Sequence, residues 1–258
     1  VPGLDYIQAV FESASGLTTT GATVIVGLDA LPKSVLFYRQ FLNFIGGMGI
    51  VILAVAILPM LKIGGMQLFR AETTGPQKDS KLTPRIAETA KALWMVYVGL
   101  NVVCALAYWA GGMDLFDAIT HAMATIATGG FSTHDASFGY WDSALLDGLA
   151  TVFMFLGGVN FGLHWYAWRR ATIGHYGADS ELRTFLRITV AVTLLVAAAL
   201  WAGGTFDGPL QSLRHAAFQT VSNITTTGFG TTGFSAWPAY APLLLVMVSF
   251  IGGSAGST

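Results

Sequence analysis

Long apolar stretches recur along the chain, and five of them are predicted to be membrane-spanning helices. A helix needs about 20 apolar residues to cross a bilayer, and these stretches hold few charged side chains. The predicted spans are 36–60, 92–110, 144–168, 184–204 and 239–253. This pattern predicts an all-α polytopic membrane protein.

Three shorter apolar runs lie between these spans, and each ends in a segment rich in Thr and Gly. The runs are 5–17, 114–126 and 211–224, and a Gly pair follows each one in the next span, at 46–47, 157–158 and 252–253. Thirteen helical residues cover about 20 Å, so each run reaches the middle of a bilayer without crossing it. The chain is therefore predicted to repeat a unit of helix, re-entrant half-helix, extended pore loop and helix.

Basic residues are concentrated in two places between these units. Ten of the 13 Lys and Arg residues lie in 62–91 and 169–187, so both segments are predicted to face the cytoplasm. The predicted organisation is a first pore unit (1–61), a cytoplasmic linker (62–91), a second pore unit (92–168), a second linker (169–183) and an incomplete third pore unit (184–258).

The segments on the opposite side of the membrane are acidic. They contain nine acids against three bases, and an acidic outer face concentrates cations, although these acids could equally be solvated loop residues. The acids are Asp5, Glu12, Asp29, Asp114, Asp117, Asp135, Asp142, Asp147 and Asp207. The bases are Lys33, Arg39 and Arg214.

The overall composition excludes several other classes of protein. Of the 258 residues, 10% are charged and 53% are hydrophobic, with a mean hydropathy of +0.61, whereas soluble domains are about 25% charged. A soluble enzyme and a disordered protein are therefore excluded. The net charge of −1 gives no support for nucleic-acid binding. Cys104 is the single cysteine, so no disulfide framework or cysteine-based metal site is predicted.

The pore loops carry the candidate chemistry. Each half-helix directs the negative end of its dipole at the loop that follows. Glycine permits the backbone angles that turn successive carbonyl groups the same way, and such carbonyls replace the water around a monovalent cation. Small residues also favour helix packing, which explains one such loop better than three in matching positions. The loops are therefore predicted to form a cation-selectivity filter.

Specific motifs resemble the TrkH/KtrB family of potassium-uptake proteins over essentially the whole chain. TTTGATV (18–24), ATGGFST (127–133) and TTTGFGTTGF (225–234) resemble its first three filter loops. NFIGGMGIVILAVAILPML (43–61) resembles its first pore-lining helix, and the linker 69–93 is similar to the TrkH branch. Because family members have four units around one pore, the chain is expected to be a fragment of a longer protein.

The resemblance implies a set of site residues. One filter glycine per unit is implied, and carbonyl oxygens around it bind K⁺. The implied filter residues are Thr19, Thr20, Gly21, Ala127, Thr128, Gly129, Thr226, Thr227 and Gly228. The resemblance further implies that Gly21 favours potassium, since a Ser at this position goes with sodium transport in related plant transporters. The implied gate below the filter is Gly252, Gly253, Ser254, Ala255 and Gly256.

The resemblance also implies a cellular setting. It implies a multi-pass protein of the bacterial inner membrane, surrounded by lipid and forming a homodimer. A cytosolic nucleotide-binding regulatory subunit (TrkA-like) would dock on the basic linkers. Channel-like flux and flux coupled to protons or sodium both remain open, although no intramembrane acid forms an obvious proton relay.

Two other functions compete with potassium uptake. Residues 252–256 fit the G-x-S-x-G pattern of a serine hydrolase, with His121, His164 and His215 as candidate bases. That pattern normally needs a strand-to-helix turn, which an apolar helix does not supply. His121 and His215 lie on half-helices at the outer side, whereas Ser254 is expected near the middle of the membrane or deeper, so these two histidines are expected to be packed or hydrogen-bonded instead. A non-conducting scaffold with a degenerate pore is the second alternative.

Overall fold

A computed structural model describes residues 3–49, 86–172, 174–234, 237–254 and 256–258. All regular secondary structure within these ranges is helical, as the sequence predicts. The α-helices are α1 (Tyr6–Leu17), α2 (Lys33–Phe44), α3 (Ile86–Ala110), α4 (Leu115–Ile126), α5 (Ala144–Gly157), α6 (Phe161–Arg170), α7 (Gly174–Ala178), α8 (Ser180–Ala202), α9 (Pro209–Ile224) and α10 (Tyr240–Ser249). Short 3₁₀ turns lie at Leu28–Ala30 and Ser137–Tyr140, and a π-helical segment lies at Ile45–Gly49.

The three predicted half-helices are α1, α4 and α9, and each agrees with its predicted range to within two residues. Asp5 caps α1 in a reciprocal capping box with Gln8, and Asp114 caps α4. Helix α9 instead begins with Pro209, which suits a first helical position because it lacks an N–H. Local capping therefore fixes where each half-helix begins.

Two helices in the described part of the chain are long and apolar enough to cross a membrane. They are α3 and α8, with 25 and 23 residues, and they confirm the predicted spans 92–110 and 184–204. By length and composition, α5 and α6 together could form a third span.

The other predicted spans are interrupted. The prediction of one continuous helix over 144–168 is wrong, because α5 and α6 are bent by 98° at a short break. The predicted span 239–253 is also too long, since α10 ends at Ser249. In the span 36–60, α2 runs into the π-helical segment, where Gly47 has non-helical angles (φ −49°, ψ −123°), and residues 50–60 lie outside the described ranges.

Each long helix packs along the half-helix that follows it. Helix α3 packs on α4, and α8 packs on α9. One core cluster joins α3, α4 and α5 through buried residues such as Tyr108 and Met154. A second joins α8, α9 and α10 through residues such as Leu200 and Leu245. Helices α4 and α9 are thus held in place by the long helix that precedes each of them, and their carboxyl ends lead into the pore loops.

Candidate functional site

The three pore loops have the same backbone conformation. In each, a threonine and the glycine two positions later have positive φ angles, a region that non-glycine residues seldom adopt. The pairs are Thr19 (54°) with Gly21 (75°), Thr128 (50°) with Gly130 (68°), and Thr226 (58°) with Gly228 (86°). The residue just before each threonine caps the preceding half-helix, namely Thr18, Ala127 and Thr225.

Hydrogen bonds repeat in the same register. Each positive-φ threonine donates its hydroxyl to the carbonyl of the residue before it, at 2.7 Å for Thr19, 2.8 Å for Thr128 and 2.7 Å for Thr226. Ser15 also donates to the Ala22 carbonyl (2.6 Å), and Ser222 donates to the Phe229 carbonyl in the equivalent place (2.8 Å). The loops are therefore structural repeats as well as sequence repeats.

This register moves the second filter glycine by one residue. The sequence analysis aligned Gly129 with Gly21 and Gly228, but the structure aligns Gly130 with them. Gly129 instead matches Thr20 and Thr227, and the predicted ligand residue Ala127 matches the helix caps. Two adjacent glycines follow Thr128, so the sequence pattern fits either of them, and the end of α4 distinguishes the two registers.

Backbone oxygens from the loops converge on one place. A Cβ atom added to Gly21 would lie 2.5 Å from the Gly129 carbonyl oxygen and 3.4 Å from that of Thr227. A Cβ added to Gly130 would overlap the Thr227 carbonyl oxygen. These two oxygens belong to equivalent loop positions, so carbonyl groups of the second and third loops lie against the glycines of the first and second, close to the negative ends of the half-helix dipoles.

The first two Gly pairs, which the sequence analysis had identified only as repeat markers, lie at the base of the loops. A Cβ on Gly46 would overlap the Leu17 carbonyl oxygen, and one on Gly157 would lie 3.0 Å from that of Ile126. The second glycine of each pair meets the next unit, with Gly47 against Ala127 and Gly158 against Thr225. Their small size therefore lets the second helix approach the end of its own half-helix and of the next one.

The predicted gate segment lies directly below the second loop. The Ser254 N–H donates to the Gly158 carbonyl (2.8 Å), and the Phe161 N–H donates to the Gly256 carbonyl (3.1 Å). The Thr258 hydroxyl lies 2.8 Å from the carbonyl oxygens of Ile126 and Gly157. The segment thus contacts the break between α5 and α6, while Ala255 lies outside the described residues.

Three of the acids assigned to an outer surface are instead buried in pairs. Glu12 binds Arg39 (2.8 Å), and Asp147 binds Arg214 (2.7 Å). Asp117 binds His134 (3.1 Å) and accepts the Thr133 hydroxyl. These partners lie far apart in the sequence, so charge counting did not find them. The paired acids do not act as free negative charges at the outer face.

His134 joins the loops that follow the first two pore segments. Its Nε2 contacts Asp117 and its Nδ1 contacts Asp29, while its ring stacks on Tyr140 at 3.6 Å. The hydrogen bond from His134 holds the pKa of the Asp29 carboxyl below its ordinary value. The Asp135 carboxylate completes this connection by accepting the N–H groups of residues 27 and 28.

The histidines considered as hydrolase bases are packed and hydrogen-bonded, as expected. His121 is fully buried between the Asp117 carbonyl and the Ser132 hydroxyl. His164 uses both ring nitrogens, on Tyr176 and on the Leu156 carbonyl. His215 binds Thr231 and stacks on Phe206. Within the described residues, the Ser254 hydroxyl has no hydrogen-bond partner, so no histidine activates it there.

Half-helices that bring three loops of matching backbone conformation together, next to long apolar helices, define a pore-type membrane transport protein. The chain belongs to the TrkH family of cation transport proteins, whose sequence profile matches residues 2–258.

Individual relatives agree with this assignment. The chain is 55% identical to the Trk system potassium uptake protein TrkH of Vibrio parahaemolyticus and 52% identical to that of Escherichia coli K12, over 100% of this chain and 53% of each relative. It is 44% identical to the Trk system potassium uptake protein TrkG of E. coli K12, over 99% of this chain and 52% of that relative. The crystal structure of the potassium transporter TrkH from V. parahaemolyticus superimposes with a TM-score of 0.85 at 51% identity, over 99% of this chain and 52% of that one. The chain thus spans about half the length of these relatives, and their names describe transporters rather than enzymes.

Proposed function

We propose that this chain contributes three of the filter loops of a potassium-uptake pore. The observation that carries the proposal is that three loops share one backbone conformation and that carbonyl oxygens of the second and third loops lie against the glycines of the first and second. The relatives are named potassium uptake proteins, which supports K⁺ as the transported ion. Neutral carbonyls suit a monovalent cation that must leave again quickly.

The register of the loops refines the predicted ligand set. The carbonyls just before each positive-φ glycine are those of Thr20, Gly129 and Thr227, with those of Thr19, Thr128 and Thr226 one position deeper. The Ala127 carbonyl belongs to the helix cap below them. The segment Gly252, Gly253, Ser254, Ala255 and Gly256 is proposed as the gate, since it lies beneath the second loop and its glycines 252 and 256 have positive φ angles.

The proposed setting follows the family. The protein would lie in the bacterial inner membrane among lipids, as a homodimer regulated by a cytosolic nucleotide-binding subunit. The basic segment 169–183 supplies a candidate docking surface for that subunit, since it carries Arg169, Arg170 and Arg183. The other basic segment, 62–91, lies mostly outside the described residues.

Radioactive rubidium uptake tests the proposal. The full-length protein would be expressed in a strain without its own potassium uptake, together with the regulatory subunit, and K⁺ and Na⁺ would compete for uptake. Competition by K⁺ but not by Na⁺ is expected. Equal competition by K⁺ and Na⁺ would contradict potassium selectivity. Absence of uptake would favour a non-conducting scaffold.

A further inference from the structure

A buried ion pair lies directly behind the first pore loop. Glu12 on α1 and Arg39 on α2 are 4% and 1% exposed. Arg39 places Nε and Nη2 each 2.8 Å from the same carboxylate oxygen of Glu12. An unpaired charge at such a depth is strongly unfavourable, so each residue constrains the position of the other.

The carboxylate of this pair holds the segment that leaves the first loop. The Thr23 hydroxyl donates to Glu12 at 2.8 Å and accepts from Arg39 Nη2 at 3.1 Å. The Val24 N–H also donates to Glu12, at 3.1 Å. Thr23 is only two residues beyond the filter glycine Gly21, so the network fixes that side of the filter.

The guanidinium also reaches the second loop. Arg39 Nη1 donates to the Ser132 carbonyl at 3.1 Å, and the centre of the guanidinium lies 4.3 Å from the centre of the Phe131 ring. Phe131 directly follows Gly130. One planar cation with several fixed donors thus bridges two filter loops from behind.

The second unit has different residues at the positions equivalent to this network. In the loop register, Glu12 corresponds to His121 and Thr23 corresponds to Ser132, and His121 contacts the Ser132 hydroxyl at 2.9 Å. Both half-helices therefore anchor the outgoing segment of their loop from the same position. Arg39 has no cationic counterpart in the second unit, where Ala150 lies seven residues before Gly157 as Arg39 lies seven before Gly46.

We infer that the Glu12–Arg39 pair is a positioning element that fixes the distance between the first and second filter loops, and thereby contributes to ion discrimination. The inference rests on the proposed function. Discrimination depends on the number and arrangement of carbonyl dipoles around the ion. A pair that touches both loops within two residues of their filter glycines controls that arrangement without contacting the ion.

The test compares variants of the full-length protein by rubidium uptake, scored as the ratio of K⁺ to Na⁺ competition per molecule in the membrane. Arg39→Gln should lower this ratio by about tenfold or more, since hydrogen bonds to charged groups contribute on that scale. Arg39→Lys should restore only part of the ratio, because the lysine ammonium lacks the planar set of N–H donors of the guanidinium. Thr23→Val removes the bridging hydroxyl but leaves both charges paired, and should lower the ratio less.

Lys33→Gln is the matched control. It removes one positive charge from the same helix, but Lys33 is exposed and its partner Asp114 lies 3.9 Å away. Uptake and discrimination should therefore match the unmodified protein.

Each outcome decides the inference. Variants with reduced uptake or abundance but an unchanged competition ratio would overturn it and leave a purely structural pair. Loss of all three network variants from the membrane, with Lys33→Gln present, would overturn it in the same way. If the unmodified protein itself does not discriminate between K⁺ and Na⁺, the proposed function is refuted. If the unmodified protein and every variant take up K⁺ with the same selectivity, only the inference about the ion pair is refuted.

Discussion

Substitution of Gly130 by alanine provides a direct test of the loop register. Gly130 has a φ angle of +68°, and a Cβ atom there would overlap the Thr227 carbonyl oxygen of the third loop. An L-residue in this conformation costs about 1–2 kcal/mol in backbone strain alone. Non-bonded heavy atoms need about 3.5 Å of separation, so the carbonyl must also move by more than about 1 Å.

The displaced carbonyl is one of the proposed K⁺ ligands. Losing one hydrogen-bond-like contact to a charged species costs about 1.5–3 kcal/mol, which corresponds to about a tenfold to hundredfold change in binding. Gly130→Ala is therefore expected to lower the ratio of K⁺ to Na⁺ competition for rubidium uptake by at least about tenfold. The third loop is affected because its backbone, not a side chain, occupies the space.

Gly27→Ala is the control for backbone strain. Gly27 has a φ angle of +77°, and a Cβ there would meet no described atom within 4 Å. It lies outside the filter, so the variant carries the strain without the collision and should retain normal discrimination. If Gly130→Ala and Gly27→Ala discriminate equally well, the assigned register and the convergence of the loops are both wrong.

Two further predictions concern packing and pH. Gly46→Ala should strongly reduce the thermal stability of the detergent-solubilised protein, because its Cβ would overlap the carbonyl at the end of α1. Gly99→Ala has open space on a helix and should raise stability by about 0.5–1 kcal/mol, so equal melting temperatures would contradict the close approach. Asp29→Asn should destabilise the protein to a constant extent between about pH 5 and 6, and the difference should shrink as the pH falls below about 4. The sign follows from the lowered pKa of Asp29 beside His134, since a carboxylate with a depressed pKa stabilises the fold above its unfolded pKa and loses that effect in acid. A difference that grows on acidification would refute this assignment.

The half-helices were predictable because their limits are encoded locally. Asp5 and Asp114 are favourable capping residues, and apolar runs of this length cannot cross a bilayer. The second loop was not predictable in the same way, since ATGG places two glycines side by side and both registers satisfy the local pattern. Where α4 ends decides the register, and that depends on its packing against α3.

The break between α5 and α6 could not be predicted from the sequence for a similar reason. The apolar stretch continues through Gly157, Gly158 and Val159 without a proline, so hydropathy predicts one straight helix. At the bend, Gly158 meets Thr225 of the next unit, and its carbonyl accepts a hydrogen bond from the Ser254 N–H. These partners are separated from the break by about 70 to 100 residues, so the structure alone reveals them.

The charged residues show why counting residues misjudged the electrostatics of the outer face. In a chain with only 10% charged residues, Glu12 and Arg39 were assigned to the outer face because they lie outside the two basic segments predicted to be cytoplasmic. Burial instead requires that they pair, since a lone charge at that depth would neutralise or unfold its surroundings. Their pairing uses the few charges to connect separate filter loops. An acid in such a chain is therefore better interpreted together with a basic partner than as part of a net charge, and Arg39 is the residue where that distinction bears on ion selectivity.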